Sequence, residues 1–347
     1  MENRIRCVGG RRQYSKHSRR LFLIACFTLL VILATVFSIF KGTLHFSLPD
    51  ALAVLTGNCP DRLTRHILLN VRLPRTLVAA LVGLNMGIAG ALLQGLLRNP
   101  LASPNIIGAN SGAGLAAVIV MCILPGNIKM LPPAAFLGAL LAGMIIYTLS
   151  RREGSSSNVT IILAGVALSA LFTAFTSAIM ILHSDELGIT YTWLVGSLTG
   201  RGWPYFSIIW PYSLLGALAA VYLSPRINLF MLGEEVGKNL GLSIEVSRFF
   251  IIINASILAG SAVSVAGTIG FIGIVAPHLA RMMIGNDYRY LIFLSGILGS
   301  LLLVMSDTLA RTLFQPLEIP VGIITATLGA PFFFFLLYQK RSSLLSS

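Results

Sequence analysis

Charged and polar side chains that could take part in chemistry cluster in one segment, residues 224–248, which lies between long apolar stretches. Within it, Gly233-Glu-Glu-Val-Gly237-Lys238 resembles a phosphate-binding loop, in which backbone amides and a lysine hold the phosphates of a nucleotide. Its glycines are separated by three residues instead of four, and Asn239 stands where serine or threonine should follow the lysine. We therefore predict no ATP site here, and no catalytic residue, bound cofactor or metal in this chain.

Asp307 is the second candidate, because it is the one acidic residue predicted to lie deep in an apolar segment. Ionisable groups within a membrane are costly and usually functional, and a carrier driven by an ion gradient would need one. Arg311, however, follows Asp307 at helical i,i+4 spacing, which favours an ion pair over a proton relay. We therefore expect transport to draw its energy from outside this chain. A self-sufficient, ion-coupled secondary transporter is the alternative.

The polar segment is better suited to bind a soluble protein than to bind a nucleotide. Three aliphatic residues recur every four positions and share one face of a short helix: Leu232, Val236 and Leu240. Charged residues occupy the flanks, with the first and last at i,i+4 spacing: Glu234, Glu235 and Lys238. Gly241 is placed to end this helix and Ser243 to cap the next. We predict a docking surface, with an ordinary solvated loop as the alternative.

A stripe of small and hydroxyl residues runs through the apolar segment 159–182. Its members recur at helical spacing: Gly165, Ser169, Thr173, Thr176 and Ser177. Such a stripe allows helices to pack closely in lipid, and it could equally form the wall of a polar pathway. Both interpretations stay open at this point.

The composition indicates the elements that must position these residues. The chain is 56% hydrophobic and 11% charged, with a mean hydropathy of +0.85. Soluble domains contain about a quarter charged residues, so we predict an all-α polytopic membrane protein. One crossing takes about 20 apolar residues, and the length allows about ten. The four cysteines show no metal-ligand spacing.

The distribution of positive charge predicts the topology. We expect a basic cytoplasmic tail at 1–20, one ten-helix membrane domain at 21–340 and a cytoplasmic tail at 341–347, with residues 224–248 as a cytoplasmic loop. Most of the 25 lysines and arginines then lie inside, as membrane proteins require. This rule accounts for the net charge of +13 without a nucleic-acid partner. Arginines 62, 65, 72 and 75 remain unusual, because they make an external segment basic.

Several motifs resemble one family over nearly the whole chain after residue 20. They are Arg72-Leu-Pro-Arg-Thr76, Gln94 with Asn99-Pro-Leu101, the glycine-rich segment 108–114, Leu163-Ala-Gly-Val166, Leu232-Gly-Glu-Glu with Leu240-Gly241, Gly270-Phe-Ile-Gly with Pro277-His278, Asp307-Thr-Leu-Ala-Arg311, and Pro320-Val-Gly with Gly329-Ala-Pro331. Together they resemble the permease subunits of bacterial type II ABC importers for iron–siderophores, haem and vitamin B12. None of them separates these substrates.

The resemblance implies a ten-helix permease that pairs with a second permease subunit, as a homo- or heterodimer, around the substrate path. A cytoplasmic ABC ATPase dimer, which would hold ATP and Mg²⁺, is expected to dock on Leu232, Gly233, Glu234, Glu235, Val236, Lys238, Leu240 and Gly241. An extracytoplasmic binding protein is expected to meet Arg72, Arg75 and Arg311. The inner gate would include Asn99, Leu101, Ser157 and Asn158, and the path would be lined by Ser169, Thr173 and Thr176.

The function that the resemblance implies is ATP-driven import through a non-catalytic subunit of the bacterial cytoplasmic membrane. An iron(III)–siderophore complex is the expected cargo, because siderophores are the commonest cargo of the family. Vitamin B12 and haem are the alternatives within it.

Overall fold

The computed structural model describes residues 2–42, 61–151 and 158–345, and the regular structure in them is helical. Its helices are Glu2–Phe40 (α1), Arg62–Leu96 (α2), Ala109–Ile123 (α3), Leu131–Arg151 (α4), Asn158–Leu182 (α5), Leu187–Val195 (α6), Trp203–Met231 (α7), Glu234–Asn239 (α8), Ile244–Ala266 (α9), Ile272–Ile284 (α10), Tyr288–Thr312 (α11) and Val321–Leu345 (α12). A π-helical turn, Ile67–Arg72, lies within α2, and α3 ends in another. Short 3₁₀ turns occupy Pro125–Met130 and Ser184–Glu186.

Seven of the described helices are long and apolar enough to cross a membrane: α1, α2, α4, α5, α7, α9 and α11. The last six overlap the predicted spans, but α2 starts at Arg62, inside the predicted external segment. In addition, α7 continues to Met231 and α9 begins at Ile244, so both ends of the predicted cytoplasmic loop 224–248 are helical. Three shorter apolar helices, α3, α10 and the first part of α12, complete the predicted set of ten. The predicted all-α polytopic fold is therefore confirmed.

Helices α2, α9 and α11 form the centre of the bundle and are buried over most of their length. Glycines let α2 approach its neighbours closely. A Cβ atom at Gly83 would collide with the carbonyl of Gly299, and one at Gly87 with the carbonyl of Ser295, both on α11. A Cβ at Gly90 would collide with Gly273 on α10. Small residues at the spacing of Gly83, Gly87 and Gly90 predict close packing of helices in lipid, and that packing is present. Close packing contributes most to helix association in a membrane, where lipid supplies little hydrophobic driving force.

The sequence places some boundaries differently from the structure. The predicted limit of the N-terminal tail, residue 20, lies within α1, and the predicted limit of the C-terminal tail, residue 341, lies within α12. The eighth span was predicted to begin at Gly267, but α10 begins five residues later. The backbone before it has positive φ angles at Gly267 (72°) and Phe271 (65°), which a helix cannot contain.

Paired charges collect at the two ends of the bundle. Asp287, which precedes α11, pairs with Arg20, and at the other end of α11 Asp307 pairs with Arg75. Helix α11 has 25 residues, which corresponds to about 37 Å and exceeds the roughly 30 Å hydrocarbon thickness of a bilayer. The same two ends are the predicted cytoplasmic and external faces, although the assignment of each end to its side of the membrane stays a prediction.

Candidate transport path and docking surfaces

The predicted docking helix is present as α8, between α7 and α9. Gly233 precedes it with φ of 109°, and Gly241 follows it with φ of 85°, so glycines make both turns. Ser243 is the residue before α9, as predicted, but its side chain makes no capping hydrogen bond. The three predicted face residues do not share one helix, because Leu232 caps the end of α7 and the non-helical Gly233 separates it from Val236 and Leu240. All three are nevertheless exposed, Leu232 by 60%, Val236 by 46% and Leu240 by 60%, and we call them the aliphatic face of the docking segment.

Arg248, on the first turns of α9, anchors α8 to the bundle. Its side chain is 1% exposed, with Nη2 2.9 Å from Oε1 of Glu234 and Nη1 2.6 Å from Oε1 of Glu245. Glu234 therefore does not form the predicted i,i+4 pair with Lys238. Arg248 thus pairs with two carboxylates, one from α8 and one from α9, which compensate its buried charge. Among the predicted docking charges, Glu235 and Lys238 remain exposed.

A polar cavity of about 620 Å³ lies between α3, α5, α6 and the segment before α10. Its lining includes the three predicted path residues, Ser169, Thr173 and Thr176, together with Ser177. Ser111 Oγ on α3 donates a hydrogen bond to Ser169 Oγ at 3.2 Å across the cavity edge. The hydroxyl part of the α5 stripe thus faces open space.

The other end of the same stripe serves helix packing. A Cβ atom at Gly165 would collide with the carbonyl of Ile106, so the backbone of the segment before α3 lies directly against α5. The two interpretations of the stripe apply to different parts of it: packing at Gly165, and a polar wall from Ser169 onward.

Sequence reasoning missed the polar residues that face this stripe from other elements: Asn105, Asn110, Ser111 and Thr268. The Oδ1 atom of Asn110 is buried and has no hydrogen-bond partner among the described residues. Asn110 and Ser111 lie within the glycine-rich motif 108–114. That motif marked the segment as important, but it did not show that these two side chains face the cavity. None of the lining residues carries a formal charge.

Two of the four predicted gate residues lie in the turn between α2 and α3. The Oδ1 atom of Asn99 accepts a hydrogen bond from the backbone N–H of Leu101 at 2.9 Å, which holds the turn in shape. Ser157 lies outside the described residues. Asn158 begins α5, but its side chain is also outside them. The gate therefore stays a prediction.

The three arginines predicted to meet a binding protein are buried, with exposed fractions of 5% for Arg72, 6% for Arg75 and 3% for Arg311. Arg72 Nη1 donates to the carbonyls of Ile39 and Phe40 at 2.9 and 3.0 Å. The other two share one carboxylate. Asp307 lies 2.9 Å from Nη2 of Arg75 and 3.2 Å from Nε of Arg311, so the predicted i,i+4 pair is confirmed.

Glu318, in the segment between α11 and α12, extends this buried network toward the surface. Its Oε2 atom lies 2.8 Å from Nη1 of Arg75 and accepts a hydrogen bond from the hydroxyl of Thr199 at 3.0 Å. Burial raises the pKa of Glu318, but the Arg75 guanidinium outweighs it and holds the pKa below its ordinary value. The arginines therefore have partners within the chain, and their contact with a binding protein stays a prediction.

Ten apolar helices, a polar cavity along α3 and α5, and a short exposed helix in one loop are the features of a membrane permease. More particularly, the chain belongs to the FecCD transport family, whose model matches residues 29–339. It is therefore a non-catalytic permease subunit of an ABC importer, as the sequence motifs predicted, and the alternative of a self-sufficient secondary transporter is excluded.

Individual relatives are similar over most of the chain. The Fe(3+)-citrate import system permease protein YfmE of Bacillus subtilis is 38% identical over 324 residues, which cover 93% of this chain and 96% of YfmE. The hemin transport system permease protein HmuU of Yersinia pestis is 39% identical over 290 residues, covering 80% and 84%. An inward-facing metal-chelate type ABC transporter of known structure has a TM-score of 0.83 at 30% identity and covers 91% of this chain and 99% of its own.

Proposed function

We propose that this chain moves an iron(III)–siderophore complex across the bacterial cytoplasmic membrane. It would pair with a second permease subunit, receive cargo from an extracytoplasmic binding protein and be driven by a cytoplasmic ABC ATPase dimer. The observation that carries the proposal is α8, whose exposed aliphatic face is held in place from behind by Arg248. An exposed apolar face that is anchored this firmly is suited to a protein partner.

The same anchor suggests how the partner's motion would reach the path. Arg248 ties Glu234 of α8 to Glu245 in the first turn of α9, and α9 packs along α2 and α4 in the bundle. A displacement of α8 would therefore move the first turn of α9 with it, instead of changing only the conformation of the loop between them. The ATP-bound and ATP-free partner must bind α8 differently, because a ligand can shift a conformational equilibrium only by its difference in affinity for the two states.

The chemistry of the cavity supports an oxygen-rich chelate as cargo. Hydroxyl and amide groups of Asn110, Ser111 and Thr173 can donate and accept hydrogen bonds, whereas no lining residue supplies a carboxylate that would hold a bare metal cation. A siderophore already encloses its iron in oxygen ligands, so the wall need only solvate the complex. Haem and vitamin B12 remain the alternative cargoes, because the relatives include a hemin permease and a cobalamin permease.

The cargo is tested by uptake into proteoliposomes that contain the permease with its ATPase and binding protein. We expect ATP-dependent uptake of radiolabelled iron bound to a siderophore, with no competition from excess haemin or cyanocobalamin. Uptake of haemin or cyanocobalamin in place of the iron complex would assign the cargo to the alternative, whereas no uptake of any of the three would contradict an importer of this type.

The path is tested by cysteines placed on α5 in a cysteine-free background. Thr173 is exposed to the cavity, so we expect Thr173→Cys to react with a water-soluble thiol reagent, at a rate that changes between ATP-bound and ATP-free states. Phe175→Cys is the control, because Phe175 is 52% exposed on the same helix but does not line the cavity. Equal reactivity of the two cysteines in all nucleotide states would contradict a water-filled path along α5.

A further inference from the structure

A groove of about 500 Å³ lies between α7 and α9, away from the polar cavity. Its walls include Ala219, Tyr222 and Arg226 from α7 and Phe250, Ile253 and Ile257 from α9. Arg226 and Phe250 lie near the α8 end of their helices, whereas Ala219 and Ile257 lie seven residues deeper, or about 10 Å along a helix axis. The groove therefore has one charged end and an apolar floor.

The side of α7 that carries this groove is apolar and exposed in the described subunit, as a surface in contact with lipid is. Its neighbouring aliphatic residues are exposed: Leu214 by 52%, Leu215 by 65% and Leu218 by 59%. Exposed leucines on a membrane-spanning helix are in contact with lipid acyl chains, so a groove between such residues is suited to hold an acyl chain.

Arg226 gives the groove its charge. Its Nη2 atom lies 3.4 Å from the hydroxyl of Tyr222, and its guanidinium lies 5.1 Å from the centre of that ring. The ion pairs between described residues involve other arginines. A guanidinium and a phenol hydroxyl at the mouth of an apolar groove match a ligand with a phosphate at one end and hydrocarbon behind it.

We propose that this groove binds one anionic phospholipid. Arg226 and the hydroxyl of Tyr222 donate hydrogen bonds to its phosphate, and an acyl chain follows the floor from Phe250 to Ile257. Arg226 lies six residues before Leu232, so the bound lipid steadies the end of α7 from which the docking segment departs. The position of the lipid in the cytoplasmic leaflet rests on the proposed topology, whereas the binding itself does not.

The test is native mass spectrometry of the full-length chain in detergent, titrated with dioleoyl-phosphatidylglycerol or with dioleoyl-phosphatidylcholine. We expect the anionic lipid to bind more tightly, and Arg226→Gln to weaken its first binding step about fivefold. Phosphatidylcholine should lose less affinity, because its choline cation offsets the phosphate charge that Arg226 would meet. The matched control is Arg289→Gln, since Arg289 is an exposed arginine at the same end of the bundle and outside the groove. Arg289→Gln should leave the affinity for the first phosphatidylglycerol molecule unchanged.

A second variant tests the acyl-chain part with the charge intact. Ala219→Phe fills the floor of the groove, so it should also weaken the first phosphatidylglycerol, and it should abolish the rise in Tm that this lipid gives the wild-type chain. The proposal is overturned if Arg226→Gln binds phosphatidylglycerol like the wild type, if Arg289→Gln weakens it equally, or if the two lipids bind with the same affinity. Any of these results would leave the ABC-importer function untouched.

Discussion

A chain in which Val236 and Leu240 are both replaced by glutamate should insert and fold normally but should not capture its ABC ATPase. The two residues are 46% and 60% exposed in the described subunit, so the substitutions remove little buried contact and should leave Tm nearly unchanged. Against a partner they would place two charges in a desolvated apolar contact. Central residues of an interface contribute about 2 kcal/mol or more each, so we expect binding to weaken by at least about a hundredfold.

Co-purification and direct binding of the ATPase measure this effect. Ile128→Glu is the control, because Ile128 is similarly exposed (54%) but lies in the turn between α3 and α4, far along the chain from the docking segment. Normal capture by the Val236→Glu, Leu240→Glu chain would rule out α8 as the docking surface.

The variant Arg248→Gln distinguishes binding of the ATPase from transmission of its motion to the path. It leaves the aliphatic face intact, so the ATPase should still bind, but more ATP should be hydrolysed for each cargo molecule imported.

Replacing Asp307 by asparagine should destabilise the chain strongly. Asp307 is the shared carboxylate of Arg75 and Arg311, and all three side chains are buried. Removing the charge of one partner from a buried cluster leaves uncompensated positive charge, which typically costs about 3–5 kcal/mol. Thermal unfolding in detergent should therefore show a markedly lower Tm for Asp307→Asn.

Glu318→Gln is the matched control, because it removes a carboxylate from the same network but at a side chain that is 28% exposed. Solvent screens that pair, so its loss should be clearly smaller. The triple replacement Arg75→Met, Asp307→Leu and Arg311→Met should recover part of the stability that Asp307→Asn loses, since it removes both buried guanidinium groups together with their shared carboxylate. An unchanged Tm in Asp307→Asn would show that the cluster contributes little.

This result also decides how the contact of Arg72, Arg75 and Arg311 with a binding protein can be examined. Charge reversal at Arg75 or Arg311 would break the buried pairs with Asp307 as well as any contact with a partner. A loss of binding-protein capture is therefore informative only in variants that keep the wild-type Tm. Arg72→Gln is a suitable first choice, because a glutamine amide can still donate hydrogen bonds to the carbonyls of Ile39 and Phe40 that Arg72 contacts.

The amino-acid sequence by itself determined the features that depend on neighbours within a few residues. The apolar segments, a short docking helix that ends before Gly241, and the Asp307–Arg311 pair all follow from local periodicity and spacing. The glycines of α2 also predicted contacts between helices, because small residues at regular spacing in a membrane helix typically lie where another helix packs closely. A permease of about ten helices was therefore predictable, and the motifs added the family.

Only the tertiary structure decided which side chains meet across the bundle. Arg75 and Asp307 are 232 residues apart in the chain, and Ser111 and Ser169 are 58 apart, so no local pattern could pair them. Within α8 the sequence favoured Lys238 as the partner of Glu234, but Glu234 pairs instead with Arg248, which belongs to α9 and is buried by the packing of the helices. Burial sets the strength of each electrostatic contact, and burial is a property of the assembled helices.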